Sequence, residues 1–529
     1  MSTDTGSLPI VVATRATAPE GRLPRRFVWL IGAVATVLCF VGSWIPSLWG
    51  DEAASVLSAK RSIPSLYQMI HHVDSVHATY YFGLHWWVKV FGDSPFSVRF
   101  PSAIAVGLAA VALILLSERL AGPRVALIAG IVFCLLPRAT YMGEEARSYA
   151  FTAAVAAWAL LVLVDLLSGR RSGKKWWIVY GALVSFGIYL FLYLALFIVV
   201  HAIVVLAARA SRSMWLRWVV ATAAAVAVAA PNIIVSILER GQVAFLATRN
   251  TTGFSSLTVG LWFTNWWIAV VAWALILVAL GFWIRRGVTS RGVTSPGVTS
   301  RGVTTSDLAS RGLAARGPSV EVVAFAWLLV PGGILLLSTL IVADFSGRYL
   351  SMSAPGAAMA MAIGIDRLAT RRLGFGIAAT ALVLAICAPT YLAQRTPYAK
   401  NESDWAEVSA TIGAHASAGQ AVVFDESSRP SVSPRLAYRT YPAGFRGLVD
   451  VTLQTPYWQA STWHDRALTV TQALAAGRFT GHSTVWLIEY AYPGHVDSSG
   501  LAELQAAGYS VSTSYRTHRS EIIELTKAH

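Results

Sequence analysis

FVWLIGAVATVLCFVGSWIPSLWGDE, residues 27–52, runs from a long apolar stretch straight into two adjacent acids. A run of about 20 apolar residues is long enough to cross the hydrocarbon core of a bilayer as a helix. Residues 27–48 meet that length, and Trp49-Gly50 mark the end of the run. Asp51 and Glu52 then stand at the water–lipid boundary, where an ionised side chain is costly unless it is used or well solvated. Acids also favour the first turn of a helix, so the pair fits a solvated helix start as well as a reactive site. The residues downstream decide between the two.

Composition extends the reading of that first run to most of the chain. The 529 residues are 55% hydrophobic and only 13% charged, with mean hydropathy +0.56. A soluble domain carries roughly 25% charged residues. The chain therefore reads as a polytopic membrane protein. Cys39, Cys134 and Cys387 all fall in apolar runs and read as small buried hydrophobes, not as a disulfide framework. No early hydrophobic region with a cleavage site precedes residue 27, so 27–48 reads as a retained span.

About eleven segments have helical spanning length. Their approximate limits are 27–48, 101–118, 124–142, 148–167, 176–191, 192–208, 216–238, 259–284, 320–342, 350–366 and 373–392. The stretch 176–208 is too long for one span and divides near Phe191-Leu192-Tyr193. Lys and Arg concentrate on the cytoplasmic side of membrane proteins, which tests this count. With the N-terminus inside, one set of loops holds Arg25 and Arg26, Arg170 to Lys175, Arg209 to Arg217, Arg285 and Arg286, and Arg367 to Arg372. The alternate loops carry Asp51, Glu52, Asp74, Glu144, Glu145, Glu239 and Asp344. The net charge of +15 is thus an orientation signal and not a nucleic-acid footprint, which needs a clustered basic face.

An odd number of spans puts residues 394–529 outside the cytoplasm. There the pattern changes to that of an α/β domain, with a helix over 404–415 and strands at 421–424 and 485–488. A further helix near 500–507 precedes a strand pair around 509–515 and 521–525. Residues 1–26 form a cytoplasmic tail, 27–393 the membrane domain with an outer loop over 51–100, and 286–318 a cytoplasmic linker. Within that linker GVTSR, GVTSP, GVTSR and GVTTS repeat a unit too short to bury a core.

The outer loop and its counterparts resemble a known family. Asp51-Glu52 followed by His77-Ala78-Thr79-Tyr80-Tyr81 is similar to the HPPLYY-type first loop of membrane glycosyltransferases of the GT-C superfamily. Phe91-Gly92-Asp93-Ser94 with Val98-Arg99-Phe100-Pro101-Ser102 resembles the segment entering their second span. YMGEEARSY, residues 141–149, looks like their YSQEARPY stretch, and DFSGRYLSMSAP, residues 344–355, like their RYLLP element. The four matches occur in family order over about residues 27–393. They point to the protein O-mannosyltransferase and RgtA-to-D-like branch, and the outer C-terminal domain is similar to actinobacterial envelope mannosyltransferases. Ala78-Thr79 stands where Pro-Pro is usual, and Ser148 where Pro is common.

The resemblance implies transfer of a sugar, mannose in that branch, from a polyprenyl-phosphate donor to a cell-envelope glycan or glycolipid acceptor. The reaction would invert the anomeric centre on the outer face of the plasma membrane. Asp51 is then the general base that takes the acceptor proton. Glu52 either orients the acceptor or Asp51, or caps the helix. Arg348, with Arg147 next, matches the donor phosphate, because guanidinium presents a fork suited to it. Arg147 equally fits an ion pair with Glu144 or Glu145. Tyr349 and Tyr149 are candidate donors to phosphate or sugar oxygens, and His77, Tyr80, Tyr81, Glu144 and Glu145 complete the expected substrate-binding set. His77 with Glu145 is also the one option for a divalent cation, without close ligand spacing to support it and with no metal required. A pentosyl (arabinofuranosyl) transferase of the same superfamily, a flippase of lipid-linked sugars and a non-catalytic scaffold are the competing functions.

Overall fold

A computed structural model describes residues 21–239, 241, 252–291, 317–341, 345–491 and 500–527, with the backbone alone for 287–291. Most of the tail, most of the repeat-bearing linker and Asp344 lie outside the described residues. The membrane part begins with α1 (Arg25–Phe40), α2 (Gly50–Lys60), α3 (Ile63–Ile70), α4 (Ala78–Phe91) and α5 (Pro95–Ala121). It continues with α6 (Pro123–Leu135), α7 (Pro137–Gly143), α8 (Tyr149–Leu167), α9 (Lys174–Leu190), α10 (Phe197–Ala207) and α11 (Arg212–Leu238). It ends with α12 (Trp266–Arg291), α13 (Val320–Ser338), α14 (Ala354–Ala369) and α15 (Leu373–Ala393).

Six of these, α5, α8, α11, α12 up to Arg286, α13 and α15, are long and apolar enough to cross a membrane, and the bent pair α6 and α7 makes seven. The other expected spans are helical but shorter: 16 residues in α1 and in α14, 17 in α9 and 11 in α10. The chain is a mainly helical, multi-pass membrane protein.

Two of the expected spans are cut short or broken for identifiable local reasons. The first helix stops at Phe40 instead of running to 48. Gly42 turns the backbone at φ 75°, and Arg395 donates to the terminal carbonyls of Leu38 and Val41 at 2.6 and 2.8 Å. Those carbonyls have no partner inside their own helix, so the guanidinium supplies one. The expected span 124–142 breaks by 60° before Pro137, which has no N–H to continue the ladder. The division of 176–208 falls where expected: Phe191 is extended, and a 3-10 turn over Leu192–Leu196 starts the next helix.

After α15 come α16 (Trp405–His415), α17 (Arg435–Thr440), α18 (Val470–Ala475) and α19 (Leu501–Ala506). They pack with β1 (Ala421–Phe424), β2 (Val449–Asp450), β5 (Thr484–Tyr490), β6 (Tyr509–Arg516) and β7 (Ser520–Lys527), while β3 (Leu453–Thr455) and β4 (Arg466–Ala467) pair separately. The sheet order is β2-β1-β5-β7-β6, parallel where β1 meets β2 and β5 and antiparallel beyond β5. Alternate strand residues face opposite ways. Ala421, Val423, Val485 and Leu487 meet Val470, Ala473 and Leu504 on one face. Val422, Phe424, Trp486 and Ile488 meet Trp405, Val408 and Ile412 on the other. That second core also contains Ala53 and Leu57 of α2, so the helix that begins with Asp51 is shared by both halves.

Candidate active site

Adjacent positions in a helix diverge by about 100°, so Asp51 and Glu52 part company within the first turn of α2. Glu52 is fully buried. Its two oxygens accept from Arg99 Nε and Nη2 at 2.7 and 2.5 Å, and Oε1 also accepts the backbone N–H of Ala146 at 2.9 Å. Arg99 donates in addition to the carbonyls of Ser43, Pro46 and Ser47. One buried pair therefore ties α5, the turn before α2 and the turn before α8 together. Glu52 is closed off from solvent, so of the roles expected for it, direct orientation of an acceptor does not fit its position.

Asp51 faces a partly open space. It is ion-paired with Arg348, and each side chain keeps 22% exposure, enough for a ligand to reach both. Arg348 lies over the ring of Trp49, 5.2 Å from its centroid. Its neighbour Tyr349 stacks on Tyr193 at 4.8 Å, and Phe191 meets Tyr349 edge-on at 5.3 Å. The break between α9 and α10 thus supplies an aromatic wall. Sequence reasoning used Phe191 and Tyr193 only to mark that break; a cluster of rings at an interrupted span was the available signal.

Arg147 is buried beside this pair and makes no ion pair with either adjacent acid. It donates to Asp51 O, Ser55 Oγ and Tyr81 OH at 3.2 to 3.3 Å, and from Nη2 to His77 Nε2 at 2.7 Å. His77 stacks on Phe191, with centroids 5.5 Å apart. Burial, with Arg147 and Arg348 nearby, holds the His77 pKa well below its ordinary value, so the ring is neutral and accepts. Its lone pair is engaged, and among the described residues no three His, Cys, Asp or Glu side chains converge as a metal-ligand set. The pairing of His77 with Glu145 on a cation has no geometric support.

Tyr81 is buried and donates to Asp74, a residue in left-handed backbone that sequence reasoning left among the outer acids. Tyr80 is buried against Phe151, and Tyr149 lies edge-on to His77 and Phe191. Glu144 is elsewhere: it is completely buried between Arg395 and Lys400, each 3.3 Å away, and does not line the site. Its substrate-binding role is withdrawn in favour of a joint between the α7–α8 turn and the segment leading to the α/β part. Glu145 is buried, and its Oε1 has no hydrogen-bond partner. Burial pushes its carboxyl up to about 7 against the pull of Lys400 and Arg348.

Residues 79–235 match the family model of dolichyl-phosphate-mannose-protein mannosyltransferases. No curated protein sequence matches the chain. Among solved structures, ArnT from Cupriavidus metallidurans bound to undecaprenyl phosphate aligns over 95% of this chain and 98% of its own, with TM-score 0.54 and 13% identity. AglB from Archaeoglobus fulgidus, in complex with an inhibitory peptide and a dolichol-phosphate, covers 88% of this chain and 69% of its own at TM-score 0.42 and 13% identity. EmbB from Mycobacterium smegmatis covers 72% and 38% at TM-score 0.39 and 15% identity. The likeness to ArnT is one of fold. Residues 79–235 are thus similar to the dolichyl-phosphate-mannose-protein mannosyltransferase family, and the chain shares the fold of ArnT along its length.

Proposed function

We propose that the chain transfers mannose from a polyprenyl-phosphate donor to a hydroxyl of a cell-envelope glycan or glycolipid, on the outer face of the membrane and with inversion. The observation that carries this is the half-open Asp51–Arg348 pair, an acid and a cation that one ligand can approach together. In this scheme the donor phosphate draws Arg348 away from Asp51, since guanidinium binds phosphate in a fork. The freed carboxylate then takes the proton of the acceptor hydroxyl as its oxygen attacks the anomeric carbon. The bond from that carbon to the phosphate oxygen breaks, and the lipid phosphate leaves with the electron pair, held by Arg348. Arg147 and neutral His77 position the site from below, and Glu52 acts as a positioning residue through Arg99. A lipid-phosphate donor agrees with the undecaprenyl phosphate bound to the similar ArnT.

The test is radiolabel transfer by purified protein from defined polyprenyl-phosphate sugars to envelope glycan acceptors. Wild type is expected to use the mannosyl donor. Asp51→Asn is expected to lose about 10²–10⁴-fold in turnover while donor binding survives, because an amide cannot take up the proton. Near-normal turnover by Asp51→Asn would remove Asp51 as the base.

A further inference from the structure

An open cleft of about 400 Å³ lies where the far end of α2 meets the α/β part, and the transfer chemistry has no use for it. Lys60, from the last turn of α2, forms one side; Tyr438, Arg439, Arg446, Tyr457 and Trp458 form much of the rest. The Arg439 guanidinium lies among three rings, 4.9 Å from Tyr438, 5.6 Å from Tyr457 and 5.2 Å from Trp458. Asp465 anchors it at 2.7 Å and accepts the backbone N–H of Tyr457 at 2.7 Å. Trp458 nevertheless keeps 43% of its surface exposed, so a large flat ring face is held ready at the cleft.

The wall is stapled to the helix that carries Asp51. Arg61, buried at the end of α2, donates to the carbonyls of Tyr457, Ala460 and Thr462. Ser65 Oγ donates to the carbonyl of Trp458 at 2.6 Å. Lys60 is paired with Asp93 and keeps further donors, since an ammonium has three. Arg446 is exposed and makes no ion pair among the described residues. Rigid aromatic faces beside a few cationic donors are the chemistry of a carbohydrate site: ring C–H faces stack on the aromatics, and hydroxyl oxygens accept from Lys and Arg. At 1.5 Å per residue, Lys60 stands about 14 Å along α2 from Asp51.

We infer that this cleft is a carbohydrate subsite that holds the distal sugar units of the acceptor glycan while its reacting end is at Asp51. The inference rests on the sugar-transfer reading for its purpose, but not for its binding test. Full-length protein in detergent is titrated calorimetrically with linear mannotetraose. Wild type is expected to bind, and Trp458→Ala to bind roughly tenfold or more weakly, as loss of one anchoring aromatic costs. Trp458→Phe, which keeps a ring face, retains most of the binding, and Arg446→Ala weakens it. With mannotetraose as transfer acceptor, the Trp458→Ala defect falls on KM and not on kcat. No binding by wild type, or equal binding by Trp458→Ala, overturns the subsite and leaves the transfer reading standing. Binding with these variant effects but no transfer from any polyprenyl-phosphate sugar removes the transfer reading and leaves the subsite.

Discussion

Arg348 has two anions to serve, Asp51 in the structure and the donor phosphate in the proposed reaction. Arg348→Ala is expected to weaken donor binding by about 2–5 kcal/mol, since a buried anion loses its charged partner. Arg348→Lys recovers only part, because an ammonium lacks the bidentate fork. Donor titration calorimetry checks both, and unchanged donor affinity in the alanine variant would pass the phosphate to Arg147. The Arg99–Glu52 pair behaves differently. It is fully buried, so Arg99→Leu leaves an unpaired carboxylate and should cost about 3–5 kcal/mol of stability. The check is thermal unfolding in detergent, where Asp51→Asn should change little; an unaltered midpoint for Arg99→Leu would contradict the role given to the pair. The sequence made Asp51 and Arg348 legible, as an acid at the end of an apolar run and an arginine in a family-like motif. It placed Glu144 among the substrate-binding residues and left Glu52 between two roles, because adjacent acids look equivalent until helix phase sends one toward Arg99 and the turn sends another toward Lys400.

The turn between α7 and α8 holds two buried acids, and of the two only Glu144 forms ion pairs among the described residues. Burial raises Glu145 from 4.5 to about 7. A carboxyl raised on folding adds stability that is fully present below about pH 4.5 and lost as pH climbs through about 7. The melting midpoint of the wild type should therefore fall between pH 5 and pH 8 by more than that of Glu145→Gln, in matched thermal scans. Identical pH slopes would mean that Glu145 is solvated. The elements around this turn show what periodicity reads and what it misses. Helices and strands with long apolar patterns were legible, as was the break at Phe191. The end of α1 and the bend at Pro137 were not, because the capping of α1 depends on Arg395, more than 350 positions away, and a proline inside an apolar run can kink a helix or end it.

Across the whole molecule, the basic loops predict orientation. A reporter fused near Arg170–Lys175 is expected on the cytoplasmic side, and one fused after Tyr398 on the outside. A cytoplasmic signal from the second fusion would reverse the placement of the α/β part, and with it the outward-facing reaction. Among the described residues six or seven helices meet the full spanning length, so this fusion also tests whether the shorter helices complete an odd number of crossings. The sequence pattern changes between the membrane part and the α/β part, yet nothing in it signals that they share a core through Ala53 and Leu57. That sharing is tight at Gly50, where a Cβ would stand 2.3 Å from the Ser431 carbonyl oxygen. Just before it, the Leu48 N–H donates to Tyr441 OH, a partner 393 residues later in the chain. Synthesis at about 5–20 residues per second separates these partners by roughly 20–80 s. The surface that seats the helix of Asp51 is therefore made long after the helix itself. A nascent chain arrested before Tyr441 should insert its early helices and still lack the proposed transfer activity, because the helix that carries Asp51 has no seat until that later surface is made.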